Sequence, residues 1–489
     1  MLKPTASEIQ AYAADYSTIP LCREIYADIT TPIALLRKIA QVSDRYFLLE
    51  SVEGGERWGR YSFLGFDPIV HVTCKDHVVT TEYTDGRPTE TVTTDTPNDV
   101  LRALMAQFKA PRIEGFPPFT GGLVGYYAYR MIGYAEPTLN LRSSDVDDFD
   151  LMLFDKVIAY DHLSQKIDVI VNMRTDDMLE NYGTARAEIE KIIRLIREPM
   201  PLPVTRSHCK PNFTCNVTKE QYCDIVNKTK QYIVDGDIFQ AVLSRRFETP
   251  YTDSLLDAYR VLRTTTPSPY MVYLHQNDIE LMSTSPETLV RLRNGRLATF
   301  PVAGSRPRGA TQAEDQALEA DLLSDEKELA EHNMLVDLGR NDIGRLSEFG
   351  SVEVTDYQMI HRYSRIMHIT SVVEGDIKPE FDAFDAISTL LPAGTLSGAP
   401  KIRACEIIEE LEPCARGVYG GALGYVDFTG NMDTCIAIRM AVKKNDRVTV
   451  QAGGGIVADS VPENEYMESQ NKAGAVISAI ERAAEVDAD

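Results

Sequence analysis

Four isoleucines give the clearest hydrophobic pattern in the chain. Ile189, Ile192, Ile193 and Ile196 stand at i, i+3, i+4 and i+7, the spacing of one buried helical face. Pro199, Pro201, Pro203 and Pro211 follow, and proline disfavours continuous helix or central strand. Residues 197–213 are therefore read as a boundary between an N-terminal region, 1–200, and a C-terminal one, 201–489. Beyond it, Thr218 with Gln221 makes a capping-box signature. Tyr222, Ile225, Val226 and Thr229 form that helix's inner face, and Gly236 its stop. Residues 69–73, 78–83 and 156–160 read as strands. After residue 200, strands and helices mix without regular alternation, which predicts an α+β fold with antiparallel sheet. Thr-Gly-Gly-Leu-Val-Gly-Tyr at 120–126 is echoed by Tyr-Gly-Gly-Ala-Leu-Gly-Tyr at 419–425. Paired glycines in an apolar strand admit a close backbone or ligand; duplication and chance both account for the echo.

Two carboxylate pairs interrupt apolar helical faces. Glu328 and Glu331 align with Leu335 and Leu338, and Glu465 and Glu468 with Lys472, Ala475, Val476 and Ala479. An isolated Glu pair is ordinarily solvated surface. Carboxylates continuing an apolar face need partners, and a hard divalent cation is a natural one. Mg²⁺ prefers a few carboxylates plus waters and substrate oxygens, which suits two pairs better than a complete Ca²⁺ cage.

Glycine-rich segments supply further candidates. Residues 394–401, Gly-Thr-Leu-Ser-Gly-Ala-Pro-Lys, precede a predicted helix at 402–411 and resemble an anion-binding helix N-terminus. Neither a Walker A loop nor a G-x-G-x-x-G fingerprint occurs. Gln-Ala-Gly-Gly-Gly-Ile-Val at 451–457 reads as a strand running into bare backbone, whose N–H groups could hold a small carboxylate. The strand predicted at 239–246 puts Gln240, Val242 and Ser244 on one face. Ser285-Pro-Glu287 offers one carboxyl after an apolar stretch. A tight turn, an edge-strand Gln and a turn Glu are the bland alternatives.

Charge narrows the partners. Fifty Lys and Arg against 73 Asp and Glu give a net charge of −23, which disfavours nucleic acid and anionic membrane surfaces. No uncharged apolar run is long enough for a membrane span, and the first residues are too polar for a secretory signal. The eight cysteines include no C-x-x-C. His208, Cys209 and Cys215 lack zinc spacing, so free thiols in a reducing cytoplasm are expected. There is no G-x-S-x-G or G-x-C-x-G elbow.

In order along the chain stand 239–246, Ser285-Pro-Glu287, Pro-Val-Ala-Gly-Ser-Arg-Pro-Arg at 301–308, then 328–342, 392–404, 433–439 and 451–472. With Leu-Leu-Glu-Ser at 48–51 and Trp-Gly-Arg-Tyr-Ser-Phe-Leu-Gly at 58–65, these segments closely resemble the anthranilate synthase component I family of chorismate-utilising enzymes. The resemblance implies one large, intertwined α/β sandwich with two mainly antiparallel sheets packed at an angle and helices outside. It implies that chorismate and ammonia become anthranilate and pyruvate, with Mg²⁺ required. Ammonia adds to ring carbon 2 as the 4-hydroxyl leaves, and pyruvate is then eliminated.

By this resemblance Glu331 and Glu468 are direct Mg²⁺ ligands, and Glu328 and Glu465 support them largely through water. Glu287 matches the general acid for the departing hydroxyl, for which a raised pKa is useful. His368 matches a histidine linked to elimination; a lone strand His would otherwise be read as a satisfied core residue. Thr395, Tyr419, Arg439, Gly453, Gly454, Gly455 and Lys472 match the region holding the substrate carboxylates and enolpyruvyl group. Gln240 stands where water-using relatives carry Lys, and Ala303 where many aminodeoxychorismate synthases carry a nucleophilic Lys. Both favour ammonia chemistry that yields anthranilate.

Leu49, Glu50, Ser51, Pro269, Tyr270 and Met271, with Tyr425 and Cys435, resemble the family's tryptophan feedback site. Thr266 departs from the Asn common in the family before Pro-Ser-Pro-Tyr-Met. A separate glutamine amidotransferase subunit (component II) is implied, in a heterodimer or a dimer of heterodimers. The alternatives are an aminodeoxychorismate synthase component I and a non-catalytic tryptophan-responsive binding protein.

Overall fold

A computed structural model describes residues 2–51, 59–201, 210–362 and 366–486. Its α+β architecture rests on two large sheets whose described pairings are all antiparallel. The first, of 13 strands, runs from Leu2–Lys3 through Arg45–Glu50, Tyr270–Gln276, Ile279–Ser285, Met440–Lys444 and Arg447–Ile456 to Gln240–Pro250 and Thr214–Cys215. The second, of 12, runs from Val302–Pro307 and Ile366–Asp376 through Thr288–Arg293, Met432–Ile436, Ala422–Asp427 and Gly122–Tyr127 to Glu90–Thr93. Both sheets draw strands from each side of residue 200.

Strand alternation builds the layers. Phe47, Val157 and Ala159 of the first sheet meet Val124, Met152, Phe154 and Tyr425 of the second in one buried cluster. Phe47–Phe154 and Phe119–Tyr425 ring centroids lie 4.8 and 4.4 Å apart. Each buried ring of this size contributes roughly 3 kcal/mol by area. The opposite faces carry the helices. Pro32–Ile39, Met178–Arg197, Leu256–Thr265 and Pro462–Glu481 cover the first sheet. Pro97–Ala106, Glu326–Leu346 and Ala383–Leu390 cover the second. Helix Met178–Arg197 buries the four isoleucines. Helix Lys219–Val234 carries the capping box on Thr218 and Gln221, and Gly236 follows it with a left-handed φ of 84°.

The two echoing glycine segments are antiparallel neighbours, with Gly125 opposite Gly424. A Cβ on Gly424 would come 2.1 Å from the Asp433 carbonyl of the next strand. Close backbone approach is thus what that glycine serves.

One topological feature positions the chemistry. The chain crosses from the first sheet to the second between Ile279–Ser285 and Thr288–Arg293. It returns between Met432–Ile436 and Met440–Lys444. The crossings are stitched together by Ile436 N donating to Glu287 O (3.0 Å) and Thr284 N donating to Arg439 O (3.1 Å). Glu287 and Arg439 therefore sit side by side where the sheets meet.

Candidate active site

A cavity of about 1020 Å³ opens at these crossings. Gln240, Glu287, Glu328, Glu331, His368, Thr395, Tyr419, Arg439, Gly453, Gly454, Gly455, Glu465, Glu468 and Lys472 all line it, as does Ala303. Glu287 sits in the Pro286–Glu287 link between the sheets, held through its carbonyl by Ile436 N. The Thr395 hydroxyl donates to Glu287 Oε1 at 2.8 Å. Burial raises the Glu287 carboxyl to about 7, against the lowering effects of the Thr395 bond and the Lys472 charge. A carboxyl protonated near neutrality can deliver a proton. His368 Nδ1 lies 3.1 Å from the Gly304 carbonyl, and burial lowers its pKa. The imidazole is therefore neutral at pH 7 and able to accept a proton.

Helix Glu326–Leu346 presents Glu328 and Glu331, and helix Pro462–Glu481 presents Glu465 and Glu468. Glu331 opens onto the cavity, yet the surrounding protein raises its pKa, with the Glu328 and Glu468 charges adding to that. Burial, then the Glu468 charge, raises Glu465. Glu468 also pairs with Lys472 at 2.6 Å, and Arg306 lies 3.9 Å from Glu328. Gly454 lies opposite these carboxylates. A Cβ there would stand 3.2 Å from Glu465 Oε2 and 3.6 Å from Glu468 Oε1. Four carboxylates from two helices, facing bare backbone, fit a hard cation that keeps waters or substrate oxygens as its other ligands. Among the described residues no three such side chains are already gathered into a metal cluster.

The cationic groups stand beside the carboxylates, with Lys472 one turn beyond Glu468 on the same helix. Arg439 Nη1 donates to Lys472 O at 3.2 Å, and Lys472 Nζ donates to Gly453 O at 3.1 Å. Arg439 holds φ at 48°, which costs on the order of 1–2 kcal/mol for a residue with a Cβ. Such strain is retained where it aims a functional side chain.

Residues 453–455 are extended strand, as the sequence reads, and pair on one edge with Ser244, Leu243 and Val242. Strand Met440–Lys444 pairs this strand only as far as Val450, so the other edge of the glycines is open toward the cavity. The start of helix Lys401–Leu411 does not line this cavity. Gly398 and Ala399 instead pair with Ala241 and Gln240, and this segment gives the cavity Thr395 and Leu396. Gly398 permits that pairing, because a Cβ would meet Gln240 O at 2.1 Å.

A second cavity, of about 680 Å³, brings together Leu49, Glu50, Ser51, Pro269, Tyr270, Met271 and Tyr425. Cys435 is not among its lining residues; it is fully buried in strand Met432–Ile436. The buried Glu50 carboxylate accepts from Tyr259 (2.9 Å) and from Arg263 (3.1 and 3.0 Å). Ser51 Oγ is buried with no partner among the described residues. Arg291, Arg293 and Asp433 also line this cavity and were missed as site residues. Nothing in their strand alternation separates them from ordinary surface charge. The seven described cysteines are free, and Trp58, His208 and Cys209 lie outside the described residues. No described helix is long and apolar enough to cross a membrane.

The fold and this cavity define a class. The sequence pattern of the chorismate binding enzymes matches residues 45–478, and the chain belongs to that family. Within it, the chain is 46% identical to anthranilate synthase component 1 of Acetivibrio thermocellus, over 99% of this chain and 100% of that protein. It is 45% identical to the protein of the same name from Pseudomonas aeruginosa, over 97% and 98%. The crystal structure of anthranilate synthase component I from Streptococcus pneumoniae aligns with a TM-score of 0.78 at 36% identity, covering 93% of this chain and 99% of that one. The menaquinone-specific isochorismate synthase of Escherichia coli, 18% identical with a TM-score of 0.69, shares the fold.

Proposed function

We propose that this chain is an anthranilate synthase large subunit, converting chorismate and ammonia to anthranilate and pyruvate. The observation that carries the reading is one cavity holding a protonatable Glu287, two carboxylate pairs and an Arg439–Lys472 wall. In this reading Arg439, Lys472 and the open Gly453–Gly455 edge bind the substrate carboxylates and orient the ring. Glu287 gives its proton to the departing 4-hydroxyl, which leaves as water while ammonia bonds to carbon 2. Thr395 keeps the Glu287 carboxyl oriented. Neutral His368 is available to take the ring proton as pyruvate departs. Gln240 supports ammonia as the nucleophile, because an amide cannot activate water as a base. Ala303 provides no nucleophile for a covalent path. Mg²⁺, held by Glu331 and Glu468 with Glu328 and Glu465 behind them, would offset the charge of the ring carboxylate.

The second cavity is assigned to feedback inhibition by tryptophan. Support comes from its mixed aromatic and charged lining and from the Ser51 hydroxyl, which has no partner among the described residues. The division at about residue 200 is one of sequence rather than of separate domains, since both sheets and the second cavity draw on residues from each side of it. The ammonia comes from a separate glutaminase subunit (component II), in a cytoplasmic heterodimer or dimer of heterodimers. Chorismate, Mg²⁺ and ammonium incubated with the chain should yield fluorescent anthranilate, and tryptophan should suppress it. Consumption of chorismate to a non-fluorescent amino or hydroxy product would overturn the assignment, and undiminished rates at saturating tryptophan would overturn the feedback site.

A further inference from the structure

Behind the cavity wall lies a buried ion pair that the reaction does not use directly. Arg416 and Glu412 have side chains 2% and 3% exposed, and neither lines the cavity. Arg416 Nε and Nη2 donate to the two Glu412 oxygens at 2.9 and 2.6 Å. The same guanidinium reaches two backbone carbonyls, Leu396 O at 2.5 Å and Val242 O at 2.6 Å. Glu412 Oε1 also accepts from Ser244 N and Oγ, at 2.7 and 2.8 Å. Val242 N in turn donates to Ser397 O at 2.9 Å. A buried ion pair is weak support for stability by itself. This one ties the turn that carries Thr395, through Leu396 O, to strand Gln240–Pro250, through Val242 O and Ser244.

We propose that Arg416, held by Glu412, is a positioning residue: it locks the Thr395–Leu396 turn against strand Gln240–Pro250 and so keeps the Thr395 hydroxyl on Glu287. The role needs arginine. A planar fork can serve a carboxylate and two carbonyls at once, whereas an ammonium is a point charge on a flexible stem. The inference rests on the reading of Glu287 as the acid.

The test uses the full chain, with chorismate, Mg²⁺ and ammonium. Arg416→Lys keeps the buried charge, and Glu412→Gln keeps the side-chain shape should the first variant fail to fold. Misplacing the acid by about 1 Å should lower kcat on the order of 10²-fold while chorismate KM moves less than about threefold. Adding Thr395→Val to Arg416→Lys should cost little beyond Thr395→Val alone, because both remove one interaction. Folded variants with undiminished kcat, with KM effects only, or with losses that multiply with Thr395→Val would overturn the positioning role. Glu287→Gln separates the two claims. If it keeps full kcat, the acid assignment fails and this inference falls with it. If it is inactive while Arg416→Lys is not, only the positioning claim falls.

Discussion

Replacing Glu287 by Gln should make the protein inactive and, above neutral pH, more stable. Burial raises this carboxyl from an ordinary value of 4.5 to about 7. The folded chain thus holds the proton up to about pH 7, whereas the unfolded chain releases it near 4.5. Between those values unfolding releases a proton, so stability falls as pH rises, and the full cost is reached above pH 7. The shift corresponds to about 3 kcal/mol. Water in the open cavity screens the charge, so about 2 kcal/mol is the working figure. For 489 residues the unfolding entropy is on the order of 1 kcal/mol per kelvin, so Tm should rise by about 2 °C. The assay is thermal unfolding of wild type and Glu287→Gln from pH 5 to 8.5, without Mg²⁺ or chorismate. The Tm gap should grow from about a third of its full size at pH 5 to its plateau by pH 8. Anthranilate formation should fall by about 10²–10⁴-fold, the usual worth of a general acid. A gap independent of pH, or full turnover in the variant, would refute the reasoning.

Glu331→Gln should abolish Mg²⁺-dependent turnover while leaving the fold intact, as read by Mg²⁺ titration alongside circular dichroism; full activity would remove Glu331 from the ligand set. Gly455→Ala places a Cβ 2.7 Å from Gln240 Nε2. It should displace that flexible amide and lower kcat/KM about tenfold, with Tm changed by no more than about a degree. Ser51→Phe should fill part of the second cavity and raise the tryptophan concentration needed for half-inhibition by at least about tenfold, with chorismate kcat unchanged; an unchanged inhibition curve would move the inhibitor elsewhere.

Much of this site was legible because its signals are local. The face of each glutamate pair follows from helical periodicity, and both helices carry the pairs to the cavity. Strand Gln240–Pro250 and the glycine strand Arg447–Ile456 likewise stand where alternation and composition put them. Other placements lie beyond any local pattern. Whether Cys435 meets a cavity, or whether the start of helix Lys401–Leu411 faces one, depends on strands far away in sequence. Glu412 and Arg416 stand four residues apart, a spacing that says nothing by itself of burial. They are buried only because Val242 and Leu396 come to meet them.

The sequence by itself determined which residues form helices and strands, which faces carry carboxylates, and, through its ordered motifs, the kind of chemistry to expect. Period and propensity act over a few residues, so they suffice for that. The tertiary structure alone decided that Glu287 and Arg439 are neighbours, because two crossings some 150 residues apart are hydrogen-bonded side by side. It also decided that burial, rather than a neighbouring charge, raises the Glu287 pKa. Both depend on long-range packing, and no local pattern encodes what the far side of a cavity will supply.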